Sequence, residues 1–255
     1  MYRLWAYREQ YTDDLLCYLA GPGSSFADRT VFDPETVTVI GRALAENMHR
    51  LATPDGRRAL MCEVVRLSVA RNYAALTESL QWRLQMALMA TLGSTRSGEA
   101  RQHIAAALED SQRRSRESLV DVLEQITQVL GLRLRSPAYT LDHVQLAGGL
   151  LVQSLALRNV QVQAARGTAD SAGPDAGPGA SAGLDGVDGV GTASDTALVN
   201  GLLNVPVPGP GLDGKPVEWT LAAFAYLGVI DSFIELDPDF VPPGPVISQA
   251  AAHEP

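Results

Sequence analysis

Residues 141–166 constrain the fold more than any other stretch, because their apolar side chains cover most of a helix's circumference. At helical spacing Leu141, Val144, Gly148, Leu151, Leu155 and Val162 form one stripe, and Leu146, Leu150, Leu157 and Val160 form a second. Only a narrow strip of Asp142, Gln145, Asn159 and Gln163 stays polar. Gly148 and Gly149 fall mid-helix, where each costs about 1 kcal/mol relative to alanine. Close approach by another helix is the expected compensation, and residues 217–235 (VEWTLAAFAYLGVIDSFIE) supply an equally apolar candidate. Two helices that are apolar on several faces predict an all-α helix bundle, closed within the chain or completed by a second copy of it.

The 255 residues suit one domain or two small ones. A formal charge of −9 argues against a chain that coats nucleic acid along its whole surface, while leaving room for a small basic site. Cys17 and Cys62 sit in helical patterns without metal-ligand spacing, which fits reduced thiols and implies no disulfide framework. No secretory apolar region opens the sequence. No run reaches the roughly 18 to 20 apolar residues of a membrane span, since Gln153 and Ser154 interrupt the best candidate. A cytoplasmic protein without membrane contact is expected.

Along the chain, residues 8–20 (REQYTDDLLCYLA) form a short amphipathic helix with Tyr11, Leu15, Tyr18 and Leu19 turned inward, ended by Gly21-Pro22-Gly23. Asp33 as N-cap and Pro34 open a helix to about residue 51, with Val37, Ile40, Leu44 and Met48 inward. Thr53-Pro54-Asp55-Gly56 has the chemistry of a turn. Residues 57–93 are nearly continuous helix, broken near 77–80, and residues 99–130 are a long amphipathic helix, or two, that Gly131 can end. Thr140 caps the central helix. From 167 to 214 the sequence turns to Gly, Ala, Ser, Asp and Pro and is expected to be disordered, except that 197–207 could dock one turn on the bundle. The final helix, 215–237, stops at Asp237-Pro238, and 238–255 is a tail.

The opening run Met1-Tyr2-Arg3-Leu4-Trp5-Ala6-Tyr7-Arg8-Glu9-Gln10-Tyr11 resembles the end of the helix-turn-helix in TetR-type bacterial transcriptional regulators. Tyr2 and Trp5 match the aromatic pair that closes the recognition helix of that family, and Arg8-Glu9 the basic-acidic pair that opens the next helix. The resemblance implies that residues 1–20 are the remnant of a DNA-binding head. It also implies that Tyr2, Arg3 and Arg8 face the phosphate backbone of operator DNA, and that residues 30–166 are the effector-binding core of a TetR-like helical bundle. The earlier part of the head, which would read base edges, has no counterpart after Met1. The implied function is a repressor that dimerises and binds a small apolar effector. The alternative is a head-less helical ligand-binding or heterodimerisation protein that does not bind DNA by itself.

No catalytic or metal constellation emerges, and neither an enzyme nor a cofactor is implied. His49, His103, His143 and His253 are scattered, and the glycine-proline runs have neither a strand before them nor a helix after. An adaptable apolar cavity is plausible where methionine and aromatic side chains gather between residues 61 and 92; its candidates are Met61, Tyr73, Trp82, Met86 and Met89. Arg114 and Arg116 are assigned to a solvated face. A homodimer interface is expected from Val144, Gly148, Leu151 and Leu155 on the central helix with Trp219, Phe224 and Tyr226 on the final one.

Overall fold

Small polar residues set the helix starts. The computed structural model describes residues 7–20, 33–93, 95, 97–171, 202–203 and 205–242. Within them the chain is mostly helical, with seven α-helices and a few short strands. Helix α1 spans Arg8–Ala20 and α2 Pro34–Glu46, followed by a 3-10 turn at Met48–Ala52. Thr53 accepts from the Gly56 amide at 3.1 Å and starts α3 (Pro54–Glu78), so the expected turn at 53–56 is the first turn of a helix. Ser79 accepts from the Trp82 amide at 3.1 Å, which ends α3 and starts α4 (Leu80–Thr91). Ser97 caps α5 (Gly98–Leu130), one helix of 33 residues, closed by Gly131 in the left-handed region at φ 59°. Thr140 and His143 cap α6 (Leu141–Ser171) reciprocally, His143 Nδ1 accepting from the Thr140 amide at 3.0 Å. Asp33 holds the cap position of α2, but its carboxylate binds Arg71 at 2.7 Å and caps no backbone group.

Two expectations change in the C-terminal part. Helix α6 runs past residue 166 to Ser171, and residues 205–214 are ordered, so the segment expected to be disordered is too long at both ends. Strands β2 (Val207–Pro210) and β3 (Pro216–Trp219) form an antiparallel hairpin, which takes the start expected for the final helix; α7 is Leu221–Phe233, capped by Thr220. Strand β1 (Leu132–Leu134) pairs antiparallel with β4 (Ile234–Leu236), tying the exit of α5 to the exit of α7. Arg50 fastens the hairpin through the Leu212 carbonyl at 2.8 Å and Asp213 at 2.6 Å. Leu203 is buried; the other residues of the turn expected at 197–207 lie mostly outside the described residues.

Helix α3 is the hub, packing on α2, α6 and α7 through a core that includes Leu60, Val64, Leu76, Val144, Ala156, Trp219 and Ala223. Inward-facing Met61, Val64, Val65 and Val69 are all buried. A second core joins α1, α4 and α5 through Ala20, Leu88, Ile104 and Leu108. The face of α1 is rotated from the expected one: Leu16, Cys17, Leu19 and Ala20 face this core, whereas Tyr11, Leu15 and Tyr18 are exposed. On α2 the buried face is Thr36, Ile40 and Ala43, and Val37 and Met48 are exposed.

Arg57 joins the ends of three elements. It is 5% exposed and donates to the Gly131 carbonyl at 2.9 Å and the Asp237 carbonyl at 3.2 Å, with its guanidinium 4.7 Å from the centre of the Phe240 ring. Arg57→Leu leaves those carbonyls short of donors, and denaturant unfolding is expected to show about 3 kcal/mol of lost stability.

At Gly148 α7 lies directly against α6: a Cβ there would lie 2.1 Å from Tyr226 Cε2, while at Gly149 it would meet only the Gln145 amide at 3.3 Å. The two adjacent glycines therefore carry opposite consequences. Gly148→Ala should cost about 1–3 kcal/mol by overpacking, whereas Gly149→Ala should be neutral or stabilising by up to about 1 kcal/mol through helix propensity. Denaturant midpoints of the two variants, compared side by side, check this.

Candidate ligand cavity

Helix α4 has two opposed apolar faces, because residues at i, i+4 and i+7 align while those two positions away point to the other side. Leu84, Leu88 and Leu92 face the core shared with α1 and α5. Trp82, Met86 and Met89 face a cavity of about 350 Å³ bounded by α3, α4, α5, α6 and α7. Four of the five sequence candidates, Met61, Trp82, Met86 and Met89, line it. Tyr73 does not; it is buried in the main core, and burial raises its phenol pKa, the neighbouring Asn159 offsetting part of the rise.

Sequence reasoning missed the polar part of the wall. Ser68 and Asn72 on α3, Gln85 on α4, Gln112, Ser115 and Arg116 on α5, and Gln145 and Gln153 on α6 all reach the cavity. On α5 the signal was present: Gln112, Ser115, Arg116, Leu119, Leu123 and Ile126 repeat at helical spacing, so the polar residues continue an apolar stripe. Arg116 was assigned to a solvated face; its side chain is 48% exposed, stands at the cavity and lies 3.7 Å from Asp142. Arg114 stays outside, paired with Asp110. Exposed Leu146, Leu150 and Met89 also line the cavity and mark its open side.

Among the described residues, Arg116 and the Tyr226 phenol are the only ionisable groups lining this space. Two polar atoms in the wall are buried and have no hydrogen-bond partner among the described residues: the indole nitrogen of Trp82 and Oδ1 of Asn72. An unpaired buried group of this kind costs about 1–3 kcal/mol. The lining can enclose an apolar body and offers amide and hydroxyl groups from Ser68, Gln85, Gln112 and Gln153 to a polar group on it. The thiols are not poised for nucleophilic chemistry: burial raises Cys62, and burial followed by Asp13, Asp14 and Glu99 raises Cys17. No group of three potential metal ligands occurs among the described residues, and no helix there is long and apolar enough to cross a membrane.

The expected interface residues divide. Val144, Gly148 and Trp219 are buried inside the chain; the Tyr226 ring closes on Gly148 between α6 and α7, while Trp219 packs in the hairpin over Gly209. Leu151 and Leu155 are half-buried and Phe224 is 40% exposed. Arg8 is exposed on α1, while Tyr2, Arg3 and Trp5 lie outside the described residues.

Tyr226 gives the cavity a pH signature. Burial pushes its phenol up to about 12. A raised folded-state pKa means the native chain holds the proton more tightly, so this stabilisation is complete below the unfolded value near 10 and is lost as pH rises through about 12. About 2.7 kcal/mol should disappear over that interval, about 2 of it by pH 11.5, and Tyr226→Phe should lose less; thermal unfolding from pH 9 to 11.5 measures the difference. Neither a protein-family model, nor a curated protein, nor a solved structure matches this chain.

Proposed function

We propose that this chain is the effector-binding and dimerisation domain of a TetR-like transcriptional regulator, a repressor whose cavity takes a small apolar effector. The reading rests on the resemblance of residues 1–11 to the close of that family's DNA-binding head, together with an all-helical remainder. The single observation that carries it is the double role of α4, whose Trp82, Met86 and Met89 wall the cavity while Leu84, Leu88 and Leu92 support α1. In this reading an effector repositions α4, α1 follows through the small core, and the head that precedes α1 loses its fit to operator DNA. Tyr2, Arg3 and Arg8 would contact phosphates. The second copy packs across Phe224, Leu151 and Leu155; Val144, Gly148 and Trp219, already used inside the chain, contribute only by shaping that face.

The test uses the neutral fluorescent probe N-phenyl-1-naphthylamine. The chain should sediment as a dimer at micromolar concentration and take up the probe. Probe binding should slow hydrogen exchange in α4 and change it in α1, and Met86→Trp, which fills the cavity, should weaken uptake at least about tenfold. Uptake untouched by Met86→Trp, or exchange in α1 indifferent to the probe, overturns the reading; a compact monomer removes its dimer.

A further inference from the structure

The cavity carries charge of one sign only. Among the described residues no carboxylate lines it, and Arg116 is its one charged side chain. Helical spacing sets Arg116 on the same face of α5 as Gln112, Leu119 and Leu123, which line the cavity with it. Its Nε lies 3.7 Å from Asp142, one turn before Leu146 on α6. The guanidinium therefore reaches from α5 toward α6 on the open side of the cavity, where Leu146 and Leu150 are exposed. Among the described residues this is the only polar contact of the Arg116 side chain. It is longer than a hydrogen bond and joins side chains 48% and 62% exposed, so it contributes little. Arg113 and Arg114 on the same helix, by contrast, bind Asp110 directly. Arg116 thus keeps its N–H donors for another acceptor.

From this we infer that the cavity takes an amphipathic carboxylate, its apolar body enclosed beside Met86, Leu119 and Leu123 and its head held at the open side by Arg116. The planar fork of a guanidinium matches the two oxygens of a carboxylate, and such charge-assisted hydrogen bonds are about twice as strong as neutral ones. One guanidinium answers the single charge of a carboxylate, whereas a phosphate monoester brings close to two. Because Arg116 is half-exposed, the head stays in contact with water, and the cost of burying an ion is avoided. A neutral molecule of the same shape gains nothing from Arg116, and a cation meets it as a like charge. Asp142 works against the ligand, since a carboxylate beside Arg116 comes near it and competes with it for the same donors. The inference rests on the ligand-cavity reading above and narrows it to a ligand class.

Three probes that share a naphthalene body and differ in the charge of the head separate the outcomes: 2-naphthoate, 2-naphthamide and 2-naphthylmethylammonium, titrated into the full chain by calorimetry at pH 7. The expected order places 2-naphthoate about tenfold tighter than 2-naphthamide, with the ammonium weakest. In Arg116→Gln the preference for 2-naphthoate over 2-naphthamide should shrink to about threefold or less, and this ratio is the readout whatever the variant does to absolute affinity. In Asp142→Asn 2-naphthoate should bind about threefold tighter while 2-naphthamide stays unchanged, a gain that a merely structural role would not produce. Circular dichroism confirms that each variant is folded; either one alone suffices. Equal binding of 2-naphthoate and 2-naphthamide overturns the carboxylate assignment and leaves the cavity standing. A preference that survives Arg116→Gln, or a 2-naphthoate affinity unmoved by Asp142→Asn, overturns the placement of the head at Arg116. Binding of none of the three by a chain that takes up N-phenyl-1-naphthylamine overturns this inference alone; uptake of none of the four overturns the cavity reading with it.

Discussion

A buried guanidinium holds this bundle in register. Placing Arg57 at 5% exposure removes a charge from water, which is tolerable only where its donors are used. Its acceptors are backbone carbonyls: Gly131, at the exit of α5 where helix carbonyls are left over and the dipole is negative, and Asp237, just beyond β4. The Gly131 carbonyl also accepts from the Asp237 amide at 2.9 Å, so one oxygen ties both segments. The site admits only glycine at 131, since φ is 59° and a Cβ would lie 2.1 Å from Phe240 Cγ and 2.4 Å from Arg57 Nη1. With the first turn of α3 fixed to the ends of α5 and β4, two walls of the cavity are tied together, because α3 and α5 both supply lining residues.

Three helix ends were legible in the sequence, and the reason is chemical. Ser79 within the run 57–93, Thr140 before the central helix and Gly131 after the long one mark ends because a hydroxyl in extended backbone satisfies amides that the first turn cannot, and glycine reaches the left-handed conformation freely. The hairpin was not legible. Its strands contain Pro208, Pro210 and Pro216, which read as loop; a two-stranded ribbon accepts them because each strand has a free edge. What holds it is tertiary. Trp219 lies over Gly209, where a Cβ would stand 2.6 Å from the indole, and its Nε1 donates to the Pro210 carbonyl at 3.1 Å. No local pattern announces a tryptophan folded back across ten residues.

Helix α6 shows how an all-round apolar pattern can mislead about partners. The stripe with Val144 and Gly148 was assigned to a second copy of the chain, yet it is covered by the chain's own α7, which fits because Gly148 makes room for Tyr226. Once that contact is made, the glycine's conformational cost is offset inside one molecule and implies nothing about assembly. The other stripe has a different fate: Leu146 and Leu150 stay more than half exposed beside the cavity. Apolarity on two faces thus reflects two separate tasks, closing the core and bordering a space, and periodicity alone cannot tell them apart.

The same limit applied to the cavity itself. Methionine and aromatic residues at helical spacing pointed to Trp82, Met86 and Met89, and all three line it; the spacing said nothing about which polar groups join them. Those come from α3, α4, α5 and α6, and apart from the stripe on α5 only the fold brings them together. In the proposed reading they would determine selectivity, since apolar contacts distinguish ligands weakly whereas a buried polar group left unpaired penalises the molecule that fails to satisfy it. In that reading, too, only a difference in affinity between arrangements of α4 could be transmitted to α1. Tight binding to every arrangement alike would move nothing, so the polar contacts, more than the apolar volume, would set the largest signal such a bundle could pass on.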